Sequence, residues 1–210
     1  MFPYTSAGPI VRYTDIETQL KQRTINISKF GIGAELFVKG LAKKVLLADN
    51  LSVLYSSICG HPQMSVFTSW LGILAYTMQL YFDFSGYSDM AIGLGKMLGF
   101  DFNKNFDYPY ISTSVSEFWR RWHISLGSWF RDYIYIPLGG NRVSTLKHIR
   151  NILVVWALTG LWHGASWNFV LWGVYYGLFL LLEKFVLQKY LKKIPSWLCT
   201  VYTLSLIHIS

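Results

Sequence analysis

The stretch NILVVWALTGLWHGASWNFVLWGVYYGLFLLL, Asn151 to Leu182, decides the fold: 32 residues without Asp, Glu, Lys or Arg. Uncharged apolar runs of about 20 residues cross the hydrocarbon core of a bilayer. At 1.5 Å per residue this run would measure about 48 Å as one helix, against a core of about 30 Å. Leu161-Trp-His-Gly-Ala-Ser166 supplies a break in the middle. Both flanks are basic, with Arg142, Lys147 and Arg150 before the run and Lys184, Lys189, Lys192 and Lys193 after it. Lys and Arg concentrate at cytoplasmic ends, so the pattern predicts a membrane hairpin with both ends cytoplasmic. A kinked, strongly tilted single helix is the competing arrangement.

Working outward, a second charge-free run of 33 residues lies between Asp49 and Asp83. Its clearest span is Met64–Phe82. The composition agrees: 52% hydrophobic, 18% aromatic and only 14% charged residues, against about 25% charged in an ordinary globular chain. Disorder, collagen and coiled coil are excluded. With two cysteines in the chain, Cys59 and Cys199, a disulfide scaffold is excluded too. The net charge of +8 flanks the apolar runs instead of massing on one polar face, which argues for a membrane surface and against nucleic acid. Met1-Phe2-Pro3-Tyr4 lacks the basic and apolar regions of a secretory signal.

A helix is expected over 31–58, with Lys39, Lys43 and Lys44 close together on it. Residues 101–113 read as a loop. Ser114-Val-Ser-Glu117 fits a capping box and predicts a helix running to about Ile136, stopped by Pro137 and Gly139-Gly140. That helix mixes Arg120, Arg121 and Arg131 with Trp119, Trp122 and Trp129, a composition suited to the headgroup layer. The expected fold class is all-α, a multi-pass integral membrane protein with interfacial amphipathic helices. Residues 1–203 form a partial membrane domain. Residues 204–210 read as a sequencing-adapter end translated in frame, and His208 is set aside with them.

His163 is the one ionisable group of its kind between Arg150 and Glu183. An ionisable side chain at membrane depth is a functional candidate by default, and a neutral imidazole is what a general base needs. A histidine hydrogen-bonding between helices fits the position equally well. His123 sits among Trp119, Trp122 and Ser125, and its position alone favours a structural interfacial role over chemistry. His61 and His148 fall in or near polar loops and are expected to be solvated. Asp83 and Asp89 read as helix-end residues at the headgroups, or as polar channel lining. Gly93-Leu-Gly-Lys-Met-Leu-Gly99 is not a dinucleotide fingerprint, His163-Gly-Ala-Ser166-Trp-Asn is not a nucleophile elbow, and no metal-ligand spacing occurs.

Five blocks carry a resemblance: AGPIVR from Ala7, FDFSGYSD from Phe82, FWRRWHISL from Phe118, RDYIYIPLGGN from Arg131 and LWHGASW from Leu161. In this order the chain resembles the membrane-bound O-acyltransferase family, above all its bacterial branch, which acetylates alginate or D-alanylates teichoic acid. The resemblance implies a multi-helix enzyme of the bacterial inner membrane with a funnel and tunnel. It implies transfer of an acyl group, acetyl by preference, from a cytoplasmic thioester donor such as acetyl-CoA or an acyl carrier protein. The acceptor is then a hydroxyl of an exported polysaccharide, reached with a partner acyltransferase outside the cytoplasm. No cofactor or metal is implied. His163 takes the place of the family's invariant histidine and His123 that of the branch's second. Trp119, Trp122, Asp83 and Asn141 are candidate substrate-binding groups, Asn141 as an oxyanion donor. The family's chains carry further helices on both sides, so the 210 residues are expected to be an internal part of a longer, active protein. Within the class, the alternatives are D-alanyl transfer to teichoic acid and peptidoglycan O-acetylation. Outside it, they are a transporter using His163 and Asp83 for protons, and a non-catalytic membrane scaffold.

Overall fold

The computed structural model describes residues 8–209. Ala7 of the first block and the initial Met1-Phe2-Pro3-Tyr4 lie outside them. Every regular element among the described residues is helical, which agrees with the expected all-α class. The helices are α1 (Tyr13–Gln22), α2 (Ile27–Ala42), α3 (Asp49–Cys59), α4 (Val66–Met97), α5 (Val115–Arg121), α6 (Ile124–Phe130), α7 (Thr145–His163), α8 (Trp167–Leu182), α9 (Gln188–Leu191) and α10 (Ser196–Ile209). They fall into two compact units divided between Asn105 and Phe106.

In the first unit, α2 and α3 are joined by the π-helical turn Lys43–Ala48 and pack on α4. The packing depends on glycine. A Cβ on Gly40 would lie 2.5 Å from the Gly86 carbonyl oxygen, and one on Gly86 would lie 2.7 Å from that of Gly40. Two helical turns away, Gly33 and Gly93 oppose each other in the same way, at 2.7 and 2.6 Å. Small residues let helix backbones approach this closely, which is how helices associate where no hydrophobic force separates lipid from protein.

This contact also explains FDFSGYSD. Asp83 and Asp89 sit three residues on either side of Gly86 and share its helix face. Lys44 Nζ lies 2.7 Å from Asp83 and 2.9 Å from Asp49, and Lys43 Nζ lies 2.6 Å from Asp89. The expectation that the two aspartates end a helix is corrected. Residues 82–89 hold no proline, their carboxylates are neutralised from the neighbouring helix, and α4 runs unbroken through them for 32 residues. Met64–Phe82 is therefore not a span of its own. The Gly93–Gly99 motif is packing and termination: Gly93 faces Gly33, Gly95 faces the Phe102 ring, and Gly99 closes the helix at φ +84°.

In the second unit, Ser114 Oγ caps α5 by accepting from Glu117 N–H at 3.0 Å. The Glu117 carboxylate reaches one residue further than a capping box requires, to Thr113 N–H and Oγ at 2.9 Å. The helix expected to run to Ile136 is instead interrupted. Trp122 is extended and His123 is left-handed at φ 47°, so α5 and α6 are separate helices. The Arg121 carbonyl freed by the break accepts from Asp107 N–H at 2.9 Å, and the Arg121 guanidinium grips the Asp107 carbonyl at 3.1 Å. The chain turns at Gly139 and Gly140, both with positive φ, as expected.

The expected hairpin is present as α7 and α8, broken at Gly164–Ser166. Its first arm starts at Thr145, six residues ahead of the apolar run. The two arms meet backbone to backbone: a Cβ on Gly160 would overlap the Phe169 carbonyl oxygen, and one on Gly173 that of Trp156. From α8 the chain continues as helix through Leu191. Trp167–Leu191, 25 residues with an 18-residue stretch at mean hydropathy 1.6, is the one helix among the described residues long and apolar enough by composition to cross a membrane.

The glycine contacts predict a contrast measurable by thermal unfolding of the full-length protein in detergent. Gly93→Ala should destabilise by about 1–3 kcal/mol, since its Cβ meets backbone that cannot yield. Gly31→Ala, with nothing within 4 Å, should be neutral or stabilising by up to about 1 kcal/mol. Equal effects of the two substitutions would contradict the packing described.

Candidate functional site

His163 is the last residue of α7, just before the break. Its ring is held edge-on by Trp162 at 4.9 Å between centroids and by Trp172 of α8 at 5.1 Å, and it stacks near Phe169 at 6.3 Å. The residue is nonetheless exposed. The hairpin break places it there: Gly164 ends α7, and α8 returns Phe169 and Trp172 against it.

His123 comes from a different element. Its left-handed backbone, uncommon for a residue with a Cβ, turns the chain between α5 and α6. The side chain is 4% exposed, and its ring meets Trp162 at 5.9 Å. Its Nδ1 lies 3.4 Å from Ser125 Oγ. Burial, and then the proximity of His163, push the His123 imidazolium down to about 4, so this ring is neutral at physiological pH. Trp162 thus touches both imidazoles, and the two histidines of the sequence reading meet on one indole.

Trp119 forms the wall behind them. Its indole packs edge-on against Trp156, Trp172 and Tyr176 at 5.0, 5.7 and 4.8 Å. Trp122 faces elsewhere, stacked on Phe118 at 5.7 Å and edge-on to Phe106 at 5.0 Å. Asn141 is exposed in the turn before α7, whereas His163 ends that helix. The 19 residues of α7 separate them by about 28 Å. Asp83 belongs to the other unit and is paired with Lys44.

Three polar residues to which the sequence reading gave no part in the site are buried. His148, expected in a solvated loop, lies inside because α7 begins at Thr145 and turns it inward. Its Nε2 faces Tyr135 Oη at 3.0 Å and Lys184 Nζ at 3.1 Å. Asn151 Nδ2 donates to the Leu138 and Gly140 carbonyls at 3.0 and 3.1 Å, fixing the turn before the helix. Glu183 is 3% exposed and accepts from the first turn of α5. The spacing of His148 and Asn151, one turn apart on one face, was the available signal for the first two. His61 is exposed, as expected. His208 lies near Tyr110, and the Leu206 and Ile207 carbonyls accept from Tyr175 and Tyr176 at 3.4 and 3.5 Å.

Chemically, the site pairs a neutral buried imidazole with a second, exposed imidazole, both set against aromatic rings. Such a pair suits proton transfer to and from a hydroxyl.

The sequence pattern of the MBOAT, membrane-bound O-acyltransferase family matches residues 1–197. The chain is 51% identical over 184 residues to a probable alginate O-acetylase of Azotobacter vinelandii, covering 88% of this chain and 37% of that protein. It is 39% identical to a peptidoglycan O-acetyltransferase of Helicobacter pylori, over 95% of this chain and 40% of that protein. It is 31% identical to a teichoic acid D-alanyltransferase of Bacillus subtilis, over 94% and 52% respectively. The chain thus spans between a third and about half of the length of these relatives. With two histidines meeting at one aromatic wall and the family pattern running over nearly its whole length, the chain belongs to the membrane-bound O-acyltransferase family.

Proposed function

We propose that the protein of which this chain is part is a multi-pass O-acyltransferase of the bacterial inner membrane. It takes an acyl group, acetyl by preference, from a cytoplasmic thioester such as acetyl-CoA or an acyl carrier protein. It delivers that group to a hydroxyl of an exported polysaccharide, with an extracytoplasmic partner acyltransferase. The observation that carries the reading is the meeting of His123 and His163 on Trp162. Among the relatives, the alginate O-acetylases share more identity than the peptidoglycan or teichoic acid enzymes, which favours polysaccharide acetylation.

In this mechanism the hydroxyl oxygen attacks the thioester carbonyl carbon while neutral His163 takes the hydroxyl proton. The carbon–oxygen bond forms, the carbon–sulfur bond breaks, and the imidazolium returns its proton to the departing thiolate. The products are an ester and a thiol, with His163 neutral again. His123, neutral and buried, orients the donor or relays the proton, and Trp119 lines the donor's route. General base catalysis supplies about 10²–10⁴-fold, and positioning supplies the rest. Asn141, beyond the far end of α7, and Asp83, paired with Lys44, take no step in this mechanism.

The test uses the full-length gene in a host lacking its own copy. His163→Ala, at matched membrane abundance, should abolish ester-linked acyl groups on isolated envelope polysaccharide, read by NMR. Equal ester content in both would remove His163 as the base. A flux of solute or protons that fails with His163→Ala and needs no acceptor would instead establish the transporter, and retained partner binding with unchanged esters the scaffold. A second prediction follows from the neutral His123. Since its imidazolium titrates at about 4 and the ring is neutral between about pH 5 and 7, His123→Gln should lower the plateau of the pH–rate profile yet leave the midpoint of any acid limb between about pH 5 and 7 in place. A shifted midpoint would show that His123 itself titrates there.

A further inference from the structure

We propose that Glu183 is a positioning residue of this site, holding α5 so that His123 meets Trp162; the inference rests on the acyl-transfer reading above. Glu183 is the first charge after the long apolar run, where a carboxylate has headgroups and water within reach. It turns inward instead and is 3% exposed. Its Oε1 accepts from Val115 N–H at 2.6 Å, and its Oε2 accepts from Ser116 N–H and Ser116 Oγ–H, both at 3.0 Å. Three donors of one helical turn thus converge on one carboxylate, the strong charge-assisted kind of hydrogen bond.

The two elements joined here are the two that build the site. The helix that runs into Glu183, α8, carries Phe169 and Trp172, which hold His163. The helix whose first turn Glu183 holds carries Trp119 and leads directly into His123. A second contact between the same elements lies further along, where Trp119 packs on Trp172 and Tyr176. Two separated contacts fix both the rotation and the translation of a seven-residue helix, and therefore where its end delivers His123. A glutamine at 183 has one oxygen for three donors and presents an N–H₂ to the others. Its shape is retained and its grip is not.

The experiment uses full-length Glu183→Gln, Ser116→Ala, their combination and His163→Ala, each purified in detergent. Melting temperature, backbone hydrogen exchange over 115–123, and the kcat and KM for an acetyl thioester donor are measured per mole of folded protein. Glu183→Gln should fold, exchange faster over 115–123, and lose about 10- to 100-fold in kcat, as small misplacements do, with KM within about two-fold. Ser116→Ala should lose several-fold, and the combination should be no worse than Glu183→Gln alone, because both remove one interaction. Exchange and kcat both unchanged in a folded Glu183→Gln, while His163→Ala is inactive, would overturn the proposal. So would a loss tracking only the amount of folded protein. Full activity in His163→Ala would instead defeat the acyl-transfer reading, and exchange over 115–123 would then decide the role of Glu183 alone. Should Glu183→Gln not fold, Ser116→Ala carries the test: unchanged kcat and exchange there would overturn the proposal.

Discussion

The indole of Trp162 is in contact with two imidazoles: that of His163, its neighbour at the end of α7, and that of His123, which comes from the break between α5 and α6. His163 ends α7, and the stop at Gly164 lets α8 return Phe169 and Trp172 against it. His123 arrives because α5 stops at Trp122 and the chain passes through a left-handed residue. A continuous helix through 121–124 would carry His123 round to another face. Holding the interruptions costs free energy, since a left-handed residue with a Cβ is disfavoured by about 1–3 kcal/mol and freed carbonyls need partners. The carbonyl of Arg121 finds one in Asp107 N–H, and α5 is held at its other end by Glu183.

Close backbone approach is the second constraint. The hairpin of α7 and α8 closes through Gly160 and Gly173, and the α2–α4 pair through Gly33, Gly40, Gly86 and Gly93. Glycine is a weak helix former, so its placement in helices that pack this tightly reflects contact more than propensity. Charge follows the same geometry. Lys43 and Lys44 pair with Asp89 and Asp83 around the Gly40–Gly86 contact, so the charged residues of FDFSGYSD serve the helix interface.

Much of this was legible in the residues. The apolar run with Leu161–Ser166 at its centre announced a hairpin and its break, Ser114 announced the start of α5, and Pro137 with Gly139-Gly140 announced the stop before α7. The break at His123 was not legible, because Arg121-Trp-His-Ile124 holds neither glycine nor proline and tertiary contacts impose the turn. Asp83 and Asp89 were misread for a related reason: a carboxylate in an apolar helix looks like an end until the lysine on the next helix is known. His148 looked solvated because its helix begins before the apolar run does. Glu183 gave no local signal, since its three donors lie 67 or 68 residues away in sequence. Of the candidate site, the two histidines and Trp119 come together, whereas Asn141 and Asp83 lie at places set by other contacts.

The central claim is that His123 and His163 share one wall, and proximity in the membrane tests it most directly. Cysteines replacing His123 and His163 in the full-length protein, with Cys59 and Cys199 exchanged for serine, would be treated in native membranes with a short bis-maleimide. The account predicts efficient cross-linking of the 123–163 pair and none between 123 and a cysteine at Lys147, at the far end of α7. Cross-linking of 123 to 147 in preference to 163 would contradict it.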